Sequence, residues 1–161
     1  MFRRFVLALI VLILLLALGG WIVLQRMDIS TLDQPSRMEV FLATHAKHYL
    51  LARESRQQLP PQPAATADSI EEGHTTYGAS CAGCHGYDGR TPTPLGKSFY
   101  PQAPSLASPV AQSYTDAELF VTIRGGIRLS GMPAFGKTHS GEEIWELVQF
   151  IRTLPNLPVR H

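Results

Sequence analysis

The sequence predicts an all-α protein made of an N-terminal transmembrane helix, a stalk helix, and a small helical domain beyond a proline-rich linker. No stretch alternates apolar and polar residues with the period of a strand. Ser36/Glu39, Ser69/Glu72, Thr115/Glu118 and Ser140/Glu143 each show the Ser/Thr-x-x-Glu spacing of a helix start. One uncharged apolar run near the N-terminus is long enough to cross a bilayer.

That run extends from Phe5 to Leu24. About 20 helical residues, each rising ~1.5 Å, match a hydrocarbon core of about 30 Å. Arg3 and Arg4 precede it, while Arg26 is soon followed by Asp28 and Asp33, an asymmetry that places the N-terminus in the cytoplasm and the rest outside. A cleavable signal peptide is the alternative, with Ala17-Leu18-Gly19 as the cleavage site; Trp21 to Leu24 prolong the apolar core past it and favour an anchor. Either way the remaining chain faces outward. The 161 residues hold one domain of ordinary size plus an accessory segment, and a net charge of +1 without a Lys/Arg cluster argues against a nucleic-acid binder.

After the anchor (1–27) comes a stalk and linker (28–67) and then the helical domain (68–161). The stalk helix is expected from Ser36 to about Gln58, with Phe41, His45, His48 and Ala52 on one packing stripe. LPPQPAATAD has the composition of a stiff spacer. Three more helices follow from the remaining caps: one through IEEGHTTYGAS, one through DAELFVTIRGG stopping at Gly125-Gly126, and one through EEIWELVQFIRTL stopping before Pro155. Ile144, Leu147, Val148 and Ile151 give the last an apolar stripe. The long Pro/Gly-rich stretch between the first two makes sense in a compact domain only if it wraps something.

The two cysteines stand together in Cys81-Ala82-Gly83-Cys84-His85. A structural zinc site wants four ligands in two pairs, and no second pair follows. A thioredoxin-like dithiol wants a strand before it and a βαβ context, which is absent. The third reading is covalent haem attachment: two cysteines at this spacing meet the two vinyl groups, and the adjacent His85 points at the iron. Met132 is the only thioether in the globular part and sits between Gly131 and Pro133, a loop setting that suits a second axial ligand better than core filling.

From about Ser69 to Leu154 the chain resembles the class I, single-haem cytochromes c. CAGCHG, APSL, GIRLSGMPAF and the C-terminal amphipathic helix carry the resemblance, and the order GKSFYPQAPSL, DAELF, GIRLSGMPAF and IWELVQFIRTLP is similar to a subgroup of membrane-anchored bacterial cytochromes. The resemblance implies a small helical shell around one covalently attached haem c, with the first and last helices crossing. Gly73 and Tyr77 would meet Trp145 there. It also implies that the Pro104 carbonyl accepts a hydrogen bond from His85 Nδ1, fixing the ring and raising its basicity. Arg128, close to Met132, is favoured over Arg124 as a partner for the haem propionates.

The other histidines suit ordinary roles: His74 and His139 at the surface, and His45 with His48 as a packed or hydrogen-bonded pair. Iron held by His85 and Met132 has no open position, so the expected role is an electron carrier, not an enzyme, with no small-molecule substrate. Thioether ligation raises the potential, which points to the oxidising part of a respiratory chain. The expected partners are membrane-bound or periplasmic redox proteins, met on the periplasmic side of a bacterial inner membrane. Two alternatives stand beside it: a haem-based sensor with a displaceable Met132, and a fixed subunit of a larger membrane oxidoreductase.

Overall fold

A computed structural model describes residues 2–26 and 35–158. The chain divides into two compact units, Met1–Gln34 and Pro35–His161. In the first, α1 (Phe2–Arg26) is one continuous helix with no buried residue. Among the described residues it alone is long and apolar enough to cross a membrane. The expected division at 27/28 lies outside the described residues.

The second unit is built of α2 (Arg37–Glu54), α3 (Ala67–Ser80), α4 (Ala82–His85), α5 (Pro94–Ser98), α6 (Pro109–Gln112), α7 (Asp116–Gly125) and α8 (Gly141–Thr153), with 3-10 turns at Phe135–Lys137 and Leu154–Asn156. No strand occurs among the described residues. Thr115 with Glu118 and Ser140 with Glu143 form reciprocal capping boxes on α7 and α8, as the spacing predicts. The start of α3 differs. Its cap is Thr66, whose hydroxyl accepts from the Ser69 amide at 3.1 Å while the Ser69 hydroxyl accepts from the Thr66 amide at 3.0 Å. Ser69 is thus the third helical residue and not the cap, and its hydroxyl also donates to Gln149 on α8.

α2 begins at its expected cap, Ser36, but only half of the box forms, because the Glu39 carboxylate accepts from Tyr100 Oη at 3.0 Å instead. It ends at Glu54, short of the expected Gln58; the Ser55 hydroxyl donates back to the Ala52 carbonyl at 3.1 Å and Gln57 folds onto Glu54. The face turned to the domain carries Lys47, Leu51 and Glu54, whereas Phe41 and His45 are exposed, which corrects the predicted stripe. His48 alone of that stripe meets the domain through its ring, stacked on Tyr114 at 5.0 Å. The proline stretch is also docked: Trp145 Nε1 donates to the Pro60 carbonyl and Gln149 Nε2 to that of Pro63, each at 3.1 Å.

At the centre α3 crosses α8. A Cβ on Gly73 would fall on the Glu146 carbonyl and lie 3.1 Å from Phe150 Cβ, so only glycine allows this approach. The aromatic that meets Tyr77 is Phe150, with ring centroids 5.1 Å apart, and not the expected Trp145, which packs on Phe120 of α7 at 4.4 Å. Helical geometry gives the reason: Glu146 and Phe150 lie four apart on the face toward α3, and Trp145 is rotated about 100° from Glu146, toward α7. Leu119, Phe120 and Ile123 of α7 with Ile144, Leu147, Val148 and Ile151 of α8 complete the buried core.

Candidate haem-binding site

The Cys-x-x-Cys-His motif occupies the junction of α3 and α4. Cys81 ends one helix and opens the next, and Ala82 behind it is fully buried, which seats the turn on the core. The chain then reverses at Gly86, whose φ of +81° is a region open to glycine, and where a Cβ would strike the Thr91 carbonyl. Tyr77 Oη, itself buried, donates to the Gly86 carbonyl at 2.7 Å. Asp88 closes the next turn by accepting from the amides of Arg90 and Thr91, both at 2.9 Å.

The following segment folds back and holds the motif by its main chain. Thr93 donates its amide to the Cys84 carbonyl at 3.1 Å and its hydroxyl to the Gly83 carbonyl at 2.7 Å, while the same hydroxyl caps α5 by accepting from the Gly96 amide at 3.1 Å. A Cβ on Gly96 would fall on the Cys84 carbonyl. Sequence reasoning missed Thr93 and Gly96. The Thr-Pro pair that opens α5 was the available signal, a cap followed by proline at the first helical position.

His85 Nδ1 hydrogen bonds to the Pro104 carbonyl at 3.0 Å. A carbonyl only accepts, so the proton is on Nδ1 and Nε2 carries the free lone pair. Burial lowers the pKa of His85 and the Pro104 bond opposes that; the net shift is downward, toward the neutral imidazole that a metal requires. Burial pushes the Cys81 thiol up to about 12, with the Cys84 sulfur adding to the effect. Both cysteines are free and half-buried.

Met132 is half-buried and packs on the core, as do Cys81, Leu106, Ala107 and Phe135. Each of them stays partly exposed, and every buried side-chain nitrogen or oxygen among the described residues already has a partner, so what these residues leave open is apolar contact, which an apolar group can supply. The donor set fits haem as well: two thiols, an oriented imidazole and a thioether. Among the described residues no group of three or more His, Cys, Asp or Glu is placed to hold a metal ion by itself.

The structure therefore brings Cys81, Cys84, His85 and Pro104 together through direct contacts, and places Met132 in the same apolar cluster as Cys81. Arg128 is exposed on the Met132 loop and makes no ion pair among the described residues. Arg124 turns away, to Glu54 of α2 at 3.6 Å and over the Phe120 ring at 5.5 Å. His139 is not a free surface residue: its Nε2 meets the Ser80 hydroxyl at 3.1 Å and its Nδ1 that of Thr138 at 2.9 Å, tying the turn after Met132 to the end of α3. His74 stacks on Phe150 at 4.8 Å from an exposed position. His45 Nδ1 hydrogen bonds to the Phe41 carbonyl at 2.8 Å, and His48 Nε2 lies 3.4 Å from Tyr114 Oη.

Residues 68–151 match the family model described as cytochrome c oxidase, cbb3-type, subunit III. No curated protein matches the chain. Among solved structures, the KustC0563 c-type cytochrome is 30% identical over 51% of this chain and 95% of its own, with a TM-score of 0.46. The reducing HAO-like protein complex Kustc0457/Kustc0458 of Kuenenia stuttgartiensis is 21% identical over 64% of this chain and 53% of its own, with a TM-score of 0.54; that likeness is one of fold. Cytochrome CL of the marine methylotroph Methylophaga aminisulfidivorans is 19% identical over 79% of this chain and 73% of its own, with a TM-score of 0.41.

Proposed function

The chain belongs to the family described as cytochrome c oxidase, cbb3-type, subunit III, and is a single-haem cytochrome c with covalently bound haem c; on that premise we propose that it is a membrane-tethered carrier whose iron is held by His85 and Met132. Bound haem supplies a one-electron couple between ferric and ferrous iron. Cys81 and Cys84 fix the group by thioethers. His85 presents Nε2 to the metal because Pro104 holds Nδ1, and this 3.0 Å bond is the observation that carries the reading. Met132, half-buried on its loop, would supply the second iron ligand and so leave no position for a small ligand. Arg128, exposed on that loop, is available to a propionate.

Anchored by α1 in a bacterial inner membrane, the haem unit works on the periplasmic side between membrane-bound or periplasmic redox partners. A second reading, a fixed subunit of a membrane oxidoreductase, is favoured by the family description itself. Copurification of other subunits in mild detergent supports that reading; a lone chain supports the free carrier.

The test of the ligand set is a redox titration of the haem-loaded protein, wild type and Met132→Ala, followed optically. The ferric wild type is expected to show a red-region iron–sulfur charge-transfer band and a high potential, and the variant to lose both. A wild type without the band that takes up carbon monoxide readily when reduced would overturn the carrier reading in favour of an open-site sensor.

A further inference from the structure

We propose that Ser130 is the positioning residue of the Met132 loop, its hydroxyl relaying a hydrogen bond from the Met132 amide to the Ile127 carbonyl and so holding the loop shut. This rests on the reading that Met132 is an axial ligand.

The loop leaves α7 at Gly126, where φ is +64° and a Cβ would lie 2.6 Å from the Pro133 carbonyl carbon and 2.7 Å from its oxygen. At this neck the two arms run past each other. The Ile127 amide donates to the Met132 carbonyl at 3.2 Å, which is one rung of an antiparallel pair. The return rung, Met132 amide to Ile127 carbonyl, is not made directly. The Ser130 hydroxyl fills it, accepting from the Met132 amide at 3.2 Å and donating to the Ile127 carbonyl at 2.7 Å.

The turn inside the neck needs this support. The Ser130 amide donates to the Ile127 carbonyl at 3.2 Å, so residues 127–130 form a β-turn whose third residue is Leu129. Leu129 has a φ of +62° and is 92% exposed, so it occupies the left-handed region without packing to compensate. An L-residue there is disfavoured. On the far side a Cβ at Gly131 would strike the Phe99 ring, so the loop is also pressed against the 94–103 segment. The Ser130 hydroxyl is the one side-chain hydrogen-bonding group among the described residues that joins the two arms. Without it the Met132 amide and the Ile127 carbonyl each lose a partner, and the loop opens more often.

Met132 opening is read by competition. In the haem-loaded full chain, imidazole titrated into the ferric form displaces the thioether, and loss of the iron–sulfur band reports it. Removal of one hydrogen-bond relay shifts such an equilibrium by about tenfold. Ser130→Ala is therefore expected to bind imidazole about tenfold more tightly than wild type, with faster hydrogen exchange at the Met132 amide, and Ser130→Thr, which keeps the hydroxyl, to stay within about threefold of wild type. If Ser130→Ala matches wild type in both readouts, the positioning role is overturned while the ligand reading stands. If Ser130→Thr is as loose as Ser130→Ala, the hydroxyl is not what acts, and the proposal is also overturned. A ferric wild type without the band overturns the ligand reading and this proposal with it.

Discussion

Two glycines on one helix, given the same substitution, should move stability in opposite directions. Gly73 and Gly78 both lie in α3, and alanine at either gains up to about 1 kcal/mol of helix propensity. At Gly78 nothing lies within 4 Å of the added Cβ, so that gain is retained. At Gly73 the Cβ falls on the Glu146 main chain, which cannot swing aside as the tip of a side chain would, and it also meets Phe150 Cβ at 3.1 Å. α3 and α8 must then part by roughly 1 Å, and a gap of that size forfeits a quarter to a half of each dispersion contact across the crossing. Overpacking of this kind costs about 1–3 kcal/mol, and a backbone obstacle puts it at the upper end. The net for Gly73→Ala is a loss of about 2 kcal/mol. For a helical domain of this size, 1 kcal/mol shifts Tm by roughly 4–8 °C. Thermal unfolding of the haem-loaded protein, followed by circular dichroism at the same pH and salt for each variant, should show Gly73→Ala about 8–16 °C below wild type and Gly78→Ala a few degrees above it. Equal shifts, or a stabilised Gly73→Ala, would refute the claim that the crossing is set by this contact.

Tyr77→Phe removes the donor to the buried Gly86 carbonyl while keeping the ring on Phe150; a loss of about 1–3 kcal/mol is expected in denaturant unfolding, and a change under ~0.5 kcal/mol would show that the hydroxyl contributes nothing. Asp88 gives a pH signature. The Thr91 amide above all holds its carboxyl below the usual range; burial opposes this and the Arg90 amide assists. A depressed folded-state value means that the stabilisation is present above about pH 4 and is lost as pH falls through the folded-state value. Between about pH 5 and pH 2 the Tm of wild type should therefore fall more steeply than that of Asp88→Asn, and parallel curves would count against the turn.

What the sequence disclosed and what it hid divide by the kind of interaction. α7 and α8 were legible because their caps use Glu three residues on, and because Ile144, Leu147, Val148 and Ile151 repeat with helical period. The start of α3 was misplaced by one turn, since Ser69 completes the Thr66 box with a hydroxyl that can equally act as a cap. Phe150 against Trp145 was a choice between adjacent helix positions, which only the crossing geometry resolves. The inward face of α2 depends on Tyr114 and Arg124, remote in sequence, so no local period could reveal it. Cys81, Cys84 and His85 stood out as a motif; Thr93 and Ser130 did not, because each acts on main-chain groups that become neighbours only after a loop has closed.

The same division explains why this motif suits covalent attachment better than the other uses of two nearby thiols. Every hydrogen bond made by Cys81, Cys84 and His85 among the described residues uses the main chain or His85 Nδ1: the carbonyl of Cys81 within its turn, that of Cys84 to Thr93, and the ring to Pro104. The two sulfurs and Nε2 are left uncommitted on a frame that is fixed all around them. A dithiol oxidoreductase needs a thiolate, and Cys81 is shifted the other way, up to about 12, by burial and by Cys84. A zinc site needs a fourth ligand, and no cluster of three or more ligating residues exists among the described residues. A group that brings its own metal and its own apolar surface meets both conditions at once. It needs only two free sulfurs, one oriented nitrogen and apolar surface left uncovered; Leu106, Ala107, Met132 and Phe135 are apolar residues that the core leaves half-buried.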